Sequence, residues 1–172
     1  MATQSDVDEL LAKIREERDT LLGGLDGLTE EFAGTRPPEG DGEEAWSPKE
    51  QLSHLAEMEV SYLATAQGAI TRAEVVRGTV AYPLEVAESA TVPQLVDELL
   101  RLRAETVAYI ESLPLEAFDA HVTSGAFPDM SVLQWLRSYY RHDRMHLAQI
   151  LGHKSDYAPR FVGGEPDQRR RA

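Results

Sequence analysis

The sequence contains no cysteine. That absence excludes disulfides, zinc ribbons and a thiolate nucleophile of the chain's own. Long apolar runs are missing too, and nothing approaches the roughly 18–20 residues that a membrane span needs. The opening stretch, MATQSDVDELLAK, lacks the basic-then-apolar layout of a secretory signal. The expectation is a cytoplasmic protein with no membrane partner. Positive charge is scarce: 17 Lys and Arg stand against 30 Asp and Glu, a net charge of −13. A surface that acidic repels a polyphosphate, which argues against nucleic acid as a partner. The one basic run, RRR at 169–171, falls in the last residues, where a tail is expected rather than a site. Fourteen arginines against three lysines, with abundant Ala, Gly and Glu, point to a GC-rich bacterial genome.

What remains is an ordinary soluble composition, 42% hydrophobic and 27% charged over 172 residues. It suits a single domain with a core of its own. Four segments carry apolar residues at the three-or-four spacing that paints one face of a helix. The first runs from Val7 through Leu10, Leu11, Ile14, Leu21, Leu22, Leu25 and Leu28 to Phe32. The second holds Leu52, Leu55, Tyr62, Leu63, Ala66 and Ile70. The third holds Leu95, Leu99, Leu102, Val107, Ile110 and Leu113, and the fourth Val132, Leu133, Leu136, Tyr140, Leu147, Ile150 and Leu151. Each is preceded by a capping pattern: Ser5-x-x-Asp8, Ser47-x-x-Glu50, Thr91-x-x-Gln94 and Ser131-x-x-Gln134. A hydroxyl there accepts from a free backbone N–H, and the side chain three residues on reaches back. Pro48 stands at the first helical position, where its missing N–H costs nothing.

The joints are a Pro/Gly loop at 34–46, a longer connection at 78–90, and a third link that holds a short helical turn. The reading is all-α: a four-helix bundle over 1–152, up-down-down-up, whose long crossover makes the second and third helices parallel. Residues 153–172 read as an irregular tail.

Chemistry enters with YYRHDRMHLAQI at 139–150. His142 and His146 lie four apart, so both rings sit on one helix face and can chelate one ion. Imidazole suits zinc, nickel and iron. A third donor must come from another helix, and His54 matches in depth. At 1.5 Å per residue all three fall about 10–15 Å from one end of an antiparallel pair. All three also fall on the shoulders of their apolar stripes, where an open site would lie. The bland alternative is histidines edging a core. His121 belongs to the opposite end, and His153, just past Gly152, is a reserve ligand.

Glu59 and Asp143 fall in the middle of apolar faces, where an unpartnered carboxylate is costly. They either accept the second N–H of a ligating histidine or pair with an arginine such as Arg103, Arg141 or Arg144. Tyr62, Tyr139, Tyr140, Trp46 and Trp135 read as core or pocket wall.

WSPKEQLSHLAEMEVSYL at 46–63, followed by RHDRMHLAQI at 141–150, resembles the DinB-like superfamily of bacterial four-helix bundles. The shared features are a Trp-Ser helix start, His-Leu with an acid five residues after the His, and a last-helix His-acid-x-x-His-Leu-x-Gln-Ile. The resemblance implies a divalent metal on His54, His142 and His146, with Zn or Ni expected. It also implies a homodimer and a small-molecule substrate. Members of the family include mycothiol-dependent isomerases and bacillithiol S-transferases, so a low-molecular-weight thiol such as mycothiol is an implied cofactor. A thiol-dependent S-transferase is the first expectation and a metal-assisted hydrolase the second; no general base stands out. The competing class is a non-catalytic metal-binding or stress-related interaction protein of the same fold. An open coordination position separates the two, because a structural zinc site is closed by four protein ligands.

Overall fold

A computed structural model describes residues 1–123 and 129–152. In chain order the helices are α1 (Gln4–Gly24), the single turn α2 (Glu30–Ala33), α3 (Pro48–Thr71), α4 (Val92–Ser112), α5 (Val132–Leu136) and α6 (Ser138–Ile150). Short 3₁₀ turns cover Gly42–Ala45, Leu84–Ser89 and Leu115–Asp119. Two-residue strands β1 (His121–Val122) and β2 (Met130–Ser131) pair antiparallel, His121 opposite Ser131 and Val122 opposite Met130. The sequence pattern gave no sign of that bridge, which is too short to set up an alternation.

Three of the four anticipated caps are present as full capping boxes, on Ser47, Thr91 and Ser131. The first lies two residues earlier than expected. Thr3, not Ser5, accepts from the Asp6 N–H, and Asp6 returns the bond. Two expected helices are also divided. The first apolar segment breaks after Gly24, and its last apolar residues enter a loop and the turn α2. The last segment breaks at Arg137, between α5 and α6.

The bundle consists of α1, α3, α4 and the α5–α6 pair, and side-chain partners fix its directions. Along α3, Gln51, Glu59 and Tyr62 meet residues of decreasing number on α5–α6, namely His146, Tyr139 and Trp135, so the two run antiparallel. Arg18 and Arg103 bind the backbone oxygens of Leu99 and Ile14, which makes α1 and α4 antiparallel. Contacts of Arg18 with Asp143 and of Gly24 with Leu147 make α1 and α6 parallel. The topology is therefore up-down-down-up, with 72–91 as the crossover. At Gly24 an added Cβ would lie 2.5 Å from Leu147 Cδ1, so the leucine side chain packs over the glycine and would have to turn aside for any larger residue.

The core has two halves. One gathers Leu10, Ile14, Ile110, Trp135, Leu136 and Tyr139. The other gathers Leu21, Leu52, Leu55, Leu95, Leu99 and Ile150. Between them lies a polar layer with one residue from each of α1, α3, α4 and α6: Arg18, Glu59, Arg103 and Asp143, all buried. Arg18 donates to Asp143 from Nε at 3.0 Å and Nη2 at 2.9 Å, and to Glu59 at 3.1 Å. Arg103 donates to both oxygens of Glu59 at 2.9 Å and to Asp143 at 3.1 Å. Two cations and two anions cancel, and paired arginine forks satisfy most of the lone pairs, the arrangement that makes charge burial tolerable. Burial raises the Asp143 carboxyl, but Arg18 and Arg103 outweigh it and hold that group below its ordinary value. Burial likewise opposes the charge on Arg103, and Glu59 and Asp143 outweigh it, holding the guanidinium above its ordinary value.

Candidate metal centre

The site forms where α3 and α6 run past one another, toward the start of α3. Ser47 and Pro48 open α3, and its second turn presents His54. On α6, His142 and His146 face the same crevice. One ring nitrogen from each of the three histidines lies within 4.8 Å of the others. The His142 and His146 Nε2 atoms are 2.8 Å apart. The His54 ring centroid is 5.1 Å from both. The three rings cross nearly edge to face rather than stacking, so their nitrogens converge.

Gln51, buried one turn before His54, orients the deepest ring. Its amide nitrogen donates to the Glu43 backbone oxygen at 2.5 Å. Its side-chain oxygen therefore faces His146 Nδ1. An oxygen there requires the proton on Nδ1, which leaves the Nε2 lone pair directed at His142. Two imidazole lone pairs 2.8 Å apart repel unless a proton or a cation lies between them. Burial, then the neighbouring His54 and the Arg18 and Arg103 charges, holds His142 well below the usual imidazole range. Burial, then His142 and His54, does the same for His146. Neutral imidazole is the form that binds a metal. The donor set therefore fits a divalent ion of the zinc and nickel kind.

The placements refine the sequence reading in three ways. His146 is 0% exposed rather than on a shoulder, because Gln51 and the turn at Gly42–Ala45 cover that end of the crevice. The His54 side chain is 13% exposed and keeps the shoulder position expected of it. Glu59 and Asp143 take arginine partners, Arg103 as foreseen and Arg18 in addition. The acceptor on His146 Nδ1 is Gln51 rather than either carboxylate. Arg144 pairs with Glu17 instead, and Arg141 lies over the Tyr140 ring. His121 lies with Thr65, Gly68 and Arg72 at the far end of α3 from His54, as expected. His153 lies outside the described residues.

The aromatics form the walls. Trp46 packs edge-on to His54 with centroids 5.0 Å apart, and Tyr62 to His142 at 5.7 Å. Tyr139, fully buried, donates to the Glu59 backbone oxygen at 3.0 Å. Burial and then Glu59 push its phenol well above the usual range, so it stays protonated.

Three site residues escaped the sequence reading. Arg18 carried a signal, since it falls in the apolar stripe between Ile14 and Leu21. Gln51 carried a weaker one, as a polar residue three before His54 on the same face. Glu43, in the loop GDGEEA, carried none. Its carboxylate lies 3.8 Å from His54 Nε2 and 4.0 Å from His146 Nε2.

A family model of the DinB superfamily matches residues 13–150. The chain belongs to the DinB superfamily. This superfamily member also shares its fold with solved bacterial structures, at low sequence identity. YfiT from Bacillus subtilis, described as a probable metal-dependent hydrolase with an unusual four-helix bundle topology, is 15% identical, with a TM-score of 0.66 over 88% of this chain and 87% of that one. An uncharacterized protein from Clostridium difficile 630 is 14% identical, with a TM-score of 0.67 over 87% and 96%. A protein from Streptococcus pneumoniae is 15% identical, with a TM-score of 0.64 over 88% and 92%. No curated protein matches the DinB-superfamily chain. Among the described residues, no helix is long and apolar enough to cross a membrane.

Proposed function

We propose that this DinB-superfamily chain is a metal-dependent enzyme for small molecules, with His54, His142 and His146 holding one divalent ion. The observation that carries the reading is the convergence of three imidazole nitrogens from two helices, one with its tautomer set by Gln51. Bound there, Zn²⁺ or Ni²⁺ would supply Lewis acidity, lowering the pKa of a thiol or water that reaches it. The protein's own part is to bind and to orient. Gln51 holds the His146 ring, the charge-balanced layer below the site fixes α3 against α6, and Trp46 and Tyr62 shield two sides from solvent.

A thiol nucleophile would come from outside the chain, which holds no cysteine. Transfer of a low-molecular-weight thiol such as mycothiol is the first reaction class. Hydrolysis is the second, and the likeness to YfiT, itself described as a probable metal-dependent hydrolase, favours it.

Elemental analysis of tag-free protein tests the reading, beside a His142→Ala, His146→Ala double variant. About one equivalent of metal in the parent and none in the variant is the expected outcome. No uptake by either, after incubation with zinc and with nickel, would leave a helical bundle whose histidines edge its core. Once metal is established, the loaded protein is assayed with thiols plus electrophiles, and with ester and amide substrates without thiol. Turnover in one set and not the other assigns the class.

A further inference from the structure

Glu43 is a carboxylate beside two of the three histidine rings. It stands in the 3₁₀ turn Gly42–Ala45, its side chain 32% exposed, with one oxygen 3.8 Å from His54 Nε2 and the other 4.0 Å from His146 Nε2. Two donors that each lie about 2.1 Å from one ion are at most about 4.2 Å apart. Each oxygen lies within that reach of one histidine nitrogen, so the carboxylate flanks the cluster of three rings, outside the set that already converges and next to where a further ligand of the same ion would be.

The turn holds it there by construction. The Glu43 backbone oxygen accepts from the Trp46 N–H at 3.2 Å and from the Gln51 amide at 2.5 Å. Gly42 adopts φ +57°, a left-handed conformation that glycine accepts without strain. At Gly40 an added Cβ would meet the Glu44 backbone oxygen at 2.7 Å. One amide, Gln51, thus binds the His146 ring on one side and the Glu43 backbone on the other. Charge gives the reason for the arrangement. A dication on three neutral imidazoles keeps its full double charge in a half-buried crevice, and the arginines of the polar layer below are already matched by Glu59 and Asp143. One carboxylate halves the excess.

We propose that Glu43 is a fourth, displaceable ligand of the metal held by His54, His142 and His146, and that an anionic nucleophile such as a thiolate takes its place. Rooted on a surface turn rather than a bundle helix, it can leave without disturbing the three histidines. The inference rests on the metal-site reading above.

Cobalt(II) is the probe, titrated into the full chain and followed by its visible absorption. Glu43→Gln is compared with the parent, and Glu44→Gln, on the same turn and exposed, serves as control. Glu43→Gln is expected to weaken cobalt binding about tenfold or more and to change the position or intensity of the d–d bands, while Glu44→Gln changes neither. Azide, added to the loaded proteins, is expected to bind more tightly to Glu43→Gln, which has no carboxylate to displace. Weaker binding with an unchanged spectrum would mean that Glu43 acts by charge alone and would overturn the ligand role. So would a variant equal to the parent in both measurements. Failure of the parent to take up cobalt would instead overturn the metal site itself, and this inference with it.

Discussion

Gln51 and His146 form a buried pair across α3 and α6, in which the carboxamide oxygen accepts from the Nδ1–H and leaves the Nε2 lone pair to face the other histidines. The same carboxamide donates to the Glu43 backbone, so it cannot flip without losing both bonds. Replacing Gln51 by alanine removes the acceptor and lets the ring turn. The expected result is metal affinity reduced about 10–100-fold, the usual cost of removing a partner that orients a ligating histidine. Competition with a chromophoric chelator measures it. An unchanged affinity would mean that the pair serves packing alone.

The fold and the clustering of the three histidines of the candidate site were legible in the sequence, for different reasons. Helix starts announce themselves locally, which is why the boxes at Ser47, Thr91 and Ser131 fell where expected. At the first helix both Thr3 and Ser5 have an aspartate three residues on, and local chemistry does not choose between them. The divisions at Gly24 and Arg137 were hidden because apolar spacing continues through them. The histidines were found because they lie on regular helices, where spacing converts into position. Glu43 sits on an irregular turn, where it does not.

The polar layer gives a prediction about stability. Asp143→Ala would leave Arg18 and Arg103 with a surplus positive charge between the two halves of the core. Breaking a buried pair from one side costs about 3–5 kcal/mol. Urea unfolding should show that loss as a lower midpoint with a similar slope. A loss below about 1 kcal/mol, the value of an exposed pair, would contradict the burial of this layer.

The metal-free protein should lose stability in mild acid. His142 and His146 are held well below the ordinary imidazole value, chiefly by burial. Below about pH 6.5 the unfolded chain therefore takes up protons there that the folded chain refuses. The stability is fully present above that pH and is lost as pH falls toward the folded values. Each imidazole contributes a slope of up to about 1.4 kcal/mol per pH unit. Chelator-treated protein, unfolded in urea at steps between about pH 7.5 and 5.5, should show this fall. A His142→Gln, His146→Gln variant should flatten it. A parent profile that is already flat would mean that the rings are more open to water than their burial indicates.

Trp46 offers a direct reading of where the metal goes. Its ring lies 5.0 Å from that of His54, whereas Trp135, the only other tryptophan, is buried in the opposite half of the core and donates to the Tyr62 backbone at 3.0 Å. Nickel(II) and cobalt(II) have partly filled d shells and quench an indole at short range, while zinc(II), with a filled shell, does not. Titration with nickel should therefore quench tryptophan emission and titration with zinc should not. Trp46→Phe should abolish most of the quenching, and Trp135→Phe should leave the fractional change as large or larger. The opposite pattern would put the ion beside Trp135, on the far side of the polar layer from Gln51, and no set of three histidines lies there among the described residues.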